Sequence, residues 1–186
     1  MAGWLIGFDA ILGIFPHMVT MKFTTALMFT VSGIGIYART NYDARNSTAT
    51  TCGFVILGVL FFLSYDLWIG GKVQSFEGDD AVMTIAPGLP SAGTMGCFFG
   101  MASMLILHND TVWRSISRII SVVAAVALAG YALDMPALYY YSENLSTAMA
   151  IHTAGLFLML SMFSMATATT DEIVVHNRRW SDNRDA

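Results

Sequence analysis

The chain has few charged residues and few cysteines for its length. Asp, Glu, Lys and Arg make up 12% of its 186 residues, hydrophobic residues make up 55%, and the net charge is −4. Because phosphate backbones are bound by stripes of Lys and Arg, this balance argues against nucleic acid as a partner. The two cysteines, Cys52 and Cys97, lie in different apolar stretches, described below, that are expected to place them at opposite faces of a membrane. They therefore cannot form an intramolecular disulfide.

Motifs for several enzyme classes are also absent. The chain has no G-x-S-x-G, Walker, H-E-x-x-H, C-x-x-C or C-x-x-C-H string. Nucleotide hydrolysis, zinc-protease chemistry, thiol redox chemistry and c-type haem attachment therefore have no sequence support. We expect a protein that is not an enzyme.

What the chain does contain is a series of five apolar stretches of about 18 to 23 residues, each long enough as a helix to cross a hydrocarbon core about 30 Å thick. They predict an all-α fold, namely a polytopic membrane helical bundle of five transmembrane helices in a single domain over residues 1–186. The stretches are residues 20–39, 52–71, 91–108, 115–135 and 145–167, followed by a cytoplasmic tail at 168–186.

Basic residues are unevenly distributed around these stretches. With the N-terminus outside, only Lys22 and Lys72 lie on the outer side. Lys and Arg favour the cytoplasmic side of a membrane, so the pattern predicts an outer N-terminus and a cytoplasmic C-terminus, in a bacterial inner membrane. The residues on the inner side are Arg39, Arg45, Arg114, Arg118, Arg178, Arg179 and Arg184.

The first nineteen residues are apolar but do not resemble a signal peptide. They lack a basic start, Asp9 interrupts the apolar run, and no small-residue cleavage site follows. Pro16 and several glycines weaken a straight helix. We predict that residues 1–19 form an interfacial or re-entrant segment on the outer face.

A short pattern occurs three times, in each case at the start of a helix expected to run inward. It is a Thr followed four residues later by a Phe, and an aromatic and aliphatic outer connection precedes it. Because the units share one orientation, they predict internal parallel repeats about an axis along the membrane normal, with the leading helix of the first unit missing. The pairs are Thr25 and Phe29, Thr94 and Phe98, and Thr153 and Phe157.

Residues 145–160, Leu-Ser-Thr-Ala-Met-Ala-Ile-His-Thr-Ala-Gly-Leu-Phe-Leu-Met-Leu, resemble the last helix of polytopic MASE-like membrane sensor regions of bacterial histidine kinases and diguanylate cyclases. Residues 21–27 are similar to the Met-x-x-Asn-Thr-Ala-Leu opening of an earlier helix, with Thr24 in place of Asn. The resemblance implies a shared membrane fold and pocket. Such sensors continue into an output domain, whereas this sequence ends at Ala186, so we expect signalling through partner contact or none.

His152 is the main candidate for a functional residue, because it is predicted about 10 Å inside the outer end of the fifth helix. A neutral imidazole there could ligate haem iron or the magnesium of a chlorophyll-type pigment, or hydrogen-bond a quinone. The alternative is a structural histidine bonded to a carbonyl or a Thr. His17, expected at the same face, could complete a bis-histidine haem site.

Four more candidates are expected at the outer face. Asp66 and Asp134 lie near the outer ends of outward-running helices and could point into a pocket, although acids so close to the interface are often hydrated. Trp68 and Tyr131 belong to an aromatic cluster that could line the pocket or form an interfacial belt.

Together these residues predict a non-enzymatic membrane protein that binds a small amphipathic ligand or cofactor in an outer-leaflet pocket. Haem, a chlorophyll-type pigment and a quinone are the candidate cofactors. The alternative is an accessory or structural subunit of a respiratory or photosynthetic membrane complex. Expected partners are membrane lipids and either other subunits or further copies of the chain. The predicted ligand-binding residues are His152, His17, Asp66, Trp68, Tyr131 and Asp134, with His152 as the candidate metal ligand.

Overall fold

The computed structural model describes residues 23–41, 47–69, 90–135, 138 and 149–182. Over these residues the fold is all-α, as the apolar stretches predict, and contains no strand. The predicted segment 1–19 lies outside the described residues. The helices are α1 (Phe23–Asn41), α2 (Ser47–Ile69), α3 (Ala92–Leu107), α4 (Asp110–Ala132) and α5 (Ile151–Asp182).

Several helix boundaries differ from the apolar stretches, and α2 begins at Ser47 rather than at residue 52. α4 begins at Asp110 rather than at residue 115, because the Asn109 side chain accepts hydrogen bonds from the Thr111 and Val112 amides and so caps the helix. α5 begins at Ile151 rather than at residue 145 and continues to Asp182. Most of the predicted tail is therefore a continuation of the fifth helix.

Contacts at one end of the bundle fix the direction of the first four helices. Arg39, near the end of α1, donates to the carbonyl of Met104 near the end of α3 and to Asp110 at the start of α4. Thr50, near the start of α2, shares a hydrogen bond with His108 after α3. α1 and α3 are therefore parallel, and α2 and α4 run against them. We call this region around Arg39 the exit end.

α4 and α5 are joined at both ends of the bundle. Trp113 Nε1 donates to the carbonyl of Ser164 at the exit end, over 2.8 Å. The Tyr131 hydroxyl donates to the carbonyl of Met149, just before α5, over 2.6 Å. α5 therefore runs parallel to α1 and α3. The end at which these three helices begin, around His152, is called the entry end.

Three phenylalanines meet at the centre of the bundle, one from each parallel helix. The ring centroids of Phe29 and Phe98 lie 4.8 Å apart, those of Phe29 and Phe157 4.6 Å, and those of Phe98 and Phe157 4.8 Å. Such edge and tilted contacts contribute about 0.5–1.5 kcal/mol each beyond the burial of their area. The second residue of the Thr-x-x-x-Phe pattern thus forms a single cluster, which we call the Phe cluster.

The threonines of the same pattern occupy equivalent places in the three helices. Thr25, Thr94 and Thr153 are each the third residue of their helix and are buried. In α3 the N-cap is Ser91, whose hydroxyl accepts from the Thr94 amide. The pattern therefore marks the first turn of each parallel helix as well as its contact with the others.

Glycines allow the first three helices to approach closely. A Cβ atom added at Gly35 would lie 2.8 Å from Leu105 Cδ1, and one added at Gly53 would lie 2.7 Å from Ile106 Cγ1. Small residues at such contacts are typical of helices packed in a membrane. Gly96, which the sequence pairs with Gly100 in a small-residue motif, has nothing within 4 Å of its added Cβ.

Large apolar side chains lie on the outside of the bundle, and several hydroxyls lie inside it. By length and composition, two of the described helices can cross a membrane, over Ser47–Tyr65 and Asp110–Ala132, and shorter apolar helices span Ala92–Leu107 and Ile151–Thr167. Crossing by all five helices remains a prediction. The most exposed apolar side chains are Phe61, Phe62, Trp68, Ile119, Val122, Leu133 and Met159, and the fully buried serines are Ser32, Ser117, Ser161 and Ser164.

Candidate ligand-binding site

His152 lies in the first turn of α5, closer to the helix start than the sequence predicts. Both of its ring nitrogens, Nδ1 and Nε2, are shielded from solvent, and neither has a hydrogen-bond partner among the described residues. A buried polar group without a partner costs about 1–3 kcal/mol, and such groups are rare in native proteins. Within the described part of the chain, His152 is therefore not bonded to a carbonyl or a Thr, which was the predicted alternative.

A second unpaired polar atom lies at the matching position of α1. The Thr24 hydroxyl is buried without a partner, and Thr24 is the second residue of α1 as His152 is of α5. Both residues precede the phenylalanine of their helix by five positions, about 7.5 Å at 1.5 Å per residue. Because Phe29 and Phe157 are in contact, the two polar groups lie at a similar level. The equivalent residue of α3 is Gly93, which has no side chain.

Tyr131 is the one other predicted site residue that the structure brings towards His152. It lies in the last turn of α4 and is half-buried. Its hydroxyl bonds the Met149 carbonyl, three residues before His152 along the chain. Tyr131 therefore positions the start of α5, and its aromatic ring lies at the entry end.

Asp134 has a local structural role at the end of α4. Its backbone is left-handed, with φ at 51°, and the residue is exposed. The amide of Met135 bonds the carbonyl of Gly130, and the amide of Asp134 approaches the carbonyl of Tyr131. These are the two bonds of a Schellman motif, in which Asp134 takes the place usually held by glycine. It terminates α4.

Of the remaining predicted residues, Trp68 is the one whose side chain the structure describes. Trp68 has 84% of its surface exposed, as expected of a ring in an interfacial belt. Asp66 belongs to α2, but its side chain is outside the described part of the structure. His17 also lies outside the described residues.

The donor set around His152 suits a hydrogen-bonding ligand better than a metal cofactor. Among the described residues, no group of three or more His, Cys, Asp and Glu side chains could hold a metal ion. A histidine that ligates haem or a chlorophyll-type pigment normally donates its other ring N–H to a protein acceptor. His152 has no such acceptor, so a metal bond would satisfy one nitrogen and leave the other unpaired.

Two other buried polar atoms lack partners, but each has a simpler setting. Ser32 Oγ is fully buried in α1, and His108 Nδ1 lies in the turn between α3 and α4. His108 still uses Nε2 in its bond to Thr50. His152 is thus the histidine with two unpaired nitrogens in the described chain.

Sequence reasoning missed a polar cluster at the exit end. The sequence analysis assigned Arg39 only to the inner side of the membrane, and the structure buries it, with 8% of its surface exposed. Its guanidinium lies 3.1 Å from the Met104 carbonyl, 3.0 Å from Asp110 Oδ1 and 4.1 Å from the centre of the Trp113 ring. Since Trp113 also bonds Ser164, this Arg39 cluster connects α1, α3, α4 and α5.

Comparisons of the chain with protein-family models, with curated proteins and with solved structures found no match. A functional assignment therefore depends on the geometry of the entry end.

Proposed function

We propose that the chain is a non-enzymatic integral membrane protein that binds a small, uncharged amphipathic ligand beside His152, in the outer leaflet. The observation that carries the proposal is the pair of unpaired ring nitrogens on this half-buried histidine. A neutral imidazole offers one donor and one acceptor. A bound molecule that supplies both would remove the cost of leaving them unsatisfied.

The outside of the bundle supports the membrane location. Only 33% of the apolar segment of α2 and 28% of the apolar segment of α4 is buried inside the protein. A core helix of a soluble protein would be mostly buried, whereas these two helices present large apolar side chains outward. The basic residues expected in the inner loops support an orientation with the entry end in the outer leaflet and the exit end at the cytoplasmic face.

The parallel repeat supports a shared site at the entry end. Three helices start at the same position relative to the pattern, and their phenylalanines form one cluster. The three residues that precede these threonines then form a ring of equivalent positions. They are Thr24, Gly93 and His152. Two of these carry polar atoms without a partner among the described residues, and the third has no side chain.

The chemistry of these groups indicates the class of ligand. The Thr24 hydroxyl can donate or accept, as can the two nitrogens of His152 taken together. A hydroxyl head group, which both donates and accepts, fits these groups, and an apolar tail fits the lipid-facing surroundings. A long-chain alcohol has this character, whereas a quinone, whose carbonyls only accept, and haem and chlorophyll-type pigments would each leave one nitrogen of His152 unpaired.

The proposal is tested by purifying the full chain in mild detergent and identifying bound small molecules by native mass spectrometry. We expect a neutral amphipathic molecule in the wild type. In the delipidated protein, a short-chain benzoquinone and a long-chain alcohol serve as probes. Thr24→Val should weaken binding of the better probe about threefold to tenfold, since one hydrogen bond contributes about 0.5–1.5 kcal/mol.

The matched control is Thr30→Val on the same helix, because the Thr30 hydroxyl is exposed and already donates to the Ala26 carbonyl. It should leave binding unchanged. An absorbance spectrum with a Soret or near-infrared band would contradict a hydrogen-bonded ligand and favour a haem or pigment.

The second candidate is an accessory subunit of a larger membrane complex, and the face of α2 favours it. Phe61 and Tyr65 are stacked with centroids 6.4 Å apart, and both are at least half exposed. Native sizing of the mild extract separates the two proposals. A particle no larger than a homodimer would argue against a subunit of a larger complex.

A further inference from the structure

One face of α4 is polar near the exit end and apolar beyond it. Thr111, Ser115 and Arg118 are exposed and lie at spacings of four and three residues, which places them on one side of the helix. The same side continues with Ile119 and Val122, each 62% exposed. A cation and two hydroxyls therefore adjoin a surface that faces lipid if the helix crosses a membrane.

Arg118 has no partner among the described residues. It makes no ion pair or hydrogen bond there, in contrast to Arg39, which is buried against Asp110 and Trp113. Arg114 lies four residues before Arg118, so the two positive charges are neighbours on the helix surface. Arg114 already takes part in an interaction, so Arg118 is the one of the two that has no partner among the described residues.

Ser115 is also unusual among the hydroxyls of the bundle. The hydroxyls of Ser64, Ser103 and Ser164 each donate to the carbonyl four residues earlier. Ser115 makes no such bond, nor any other side-chain hydrogen bond within the described part of the chain. Its hydroxyl remains available to a ligand one turn from Arg118.

The depth of Arg118 indicates which anion fits. It lies eight residues after Asp110, about 12 Å along the helix. An arginine at that depth extends its side chain towards the interface, where the head groups of the inner leaflet lie. The exposed Ile119 and Val122 side chains lie deeper still, where they contact acyl chains. A phospholipid supplies an anionic head group for Arg118 and acyl chains for the apolar side chains, whereas a soluble anion contacts only the arginine.

We infer that this face of α4 binds the head group of an anionic phospholipid of the inner leaflet, with Arg118 paired to the phosphate and Ser115 donating to it. The inference depends on insertion of the protein in a membrane, as proposed above, but not on the ligand at His152. It adds a second binding site at the opposite end of the bundle.

The test uses the full chain in lipid nanodiscs of phosphatidylcholine with a minor fraction of phosphatidylglycerol. Native mass spectrometry gives the ratio of the two lipids retained on the protein, relative to the ratio supplied. We expect about fivefold enrichment of phosphatidylglycerol, the usual size of one arginine contact with an anionic surface. Arg118→Gln should abolish the enrichment, and Arg118→Lys should retain most of it.

The matched control is Arg114→Gln. It removes the same charge one turn earlier on the helix, where the arginine side chain is half-buried. It should leave most of the enrichment. An equal loss in both variants would indicate general attraction to a basic surface and would overturn the site. If Arg118→Gln does not fold, Ser115→Ala provides the test, and an unchanged enrichment in that variant would count against the site.

Inorganic phosphate distinguishes the two sources of the anion. It should not reduce the retained phosphatidylglycerol. Displacement at millimolar phosphate would assign the face to a soluble anion and would contradict a lipid site. Binding of the quinone or alcohol probe at the entry end should be the same in Arg118→Gln as in the wild type, so failure of one proposal can be told from failure of the other.

Discussion

Replacing Arg39 by methionine should destabilise the bundle, because Arg39 connects α1 to the turn between α3 and α4. The change keeps most of the hydrocarbon volume and removes the charge. It removes a charged hydrogen bond to the Met104 carbonyl, which usually contributes about 1.5–3 kcal/mol. It also removes the contact with the Trp113 ring, which contributes about 1–2 kcal/mol when desolvated.

Two considerations lower the total free-energy cost expected from the contacts that Arg39→Met removes. The Asp110 side chain is 79% exposed, so solvent screens its ion pair with Arg39, which contributes about 0–1 kcal/mol. Methionine also avoids the cost of taking a guanidinium out of water, which offsets part of the lost contacts. We therefore expect a net loss of about 2 kcal/mol in the free energy of unfolding.

The same cluster predicts which of three variants loses least stability. Trp113→Phe removes one hydrogen bond to the Ser164 carbonyl, to which Thr167 also donates, and leaves a small cavity at a buried site, so it should cost about 1–3 kcal/mol. Asp110→Asn should cost least. The measurement is unfolding in mixed detergent micelles, followed by far-ultraviolet circular dichroism. An Asp110→Asn variant as unstable as Arg39→Met would refute the reasoning, since it would make the exposed ion pair the main contribution.

Gly53→Ala should lower stability by about 1–3 kcal/mol, because the added Cβ would lie 2.7 Å from Ile106 Cγ1 and 3.0 Å from the Ala102 carbonyl oxygen, which is backbone. Gly58→Ala on the same helix is the control, since nothing lies within 4 Å there, and equal losses in both would contradict the packing of α2 on α3. Asp134→Gly should raise stability by up to about 1 kcal/mol by removing left-handed strain, without changing probe binding. Weaker probe binding in that variant would indicate that Asp134 contributes to the ligand site.

The start of α3 could be predicted because its polar cap directly precedes the apolar run, whereas the cap of α4, Asn109, lies before the predicted start at residue 115. The third apolar stretch begins at residue 91, and α3 begins at Ala92, where Ser91 is the N-cap. The fifth stretch begins at residue 145, but α5 begins at Ile151, where the cap position is Ala150. Because alanine gives no capping signal, an apolar run alone set the predicted start, and His152 was placed too deep in the helix.

The Phe cluster could be anticipated because one spacing recurs in three segments. Side chains four residues apart lie on the same helix face, so equivalent segments bring equivalent residues to a common centre. The burial of Arg39 could not be anticipated in this way. The positive-inside rule places a basic residue on a side of the membrane but says nothing about which helices it contacts.

The roles of single residues at the entry end depended on the fold. Asp134 looks like a pocket acid in the sequence, yet its left-handed backbone follows from the termination of α4. Thr24 was noted only as the residue that replaces Asn in a resemblance. Its equivalence to His152 follows from the repeat, and its lack of a partner could be known only from the structure.

The central claim is that the shielded ring nitrogens of the half-buried His152 lack a partner among the described residues because a ligand supplies one. The most direct measurement is the free energy of unfolding of the delipidated wild type and of His152→Leu, each with and without the better-binding probe. Leucine removes both unpaired nitrogens, so ligand-free His152→Leu should be more stable than ligand-free wild type by about 1–3 kcal/mol and should gain nothing from the probe. A ligand-free variant less stable than the wild type, or one that the probe stabilises as much as the wild type, would contradict the account.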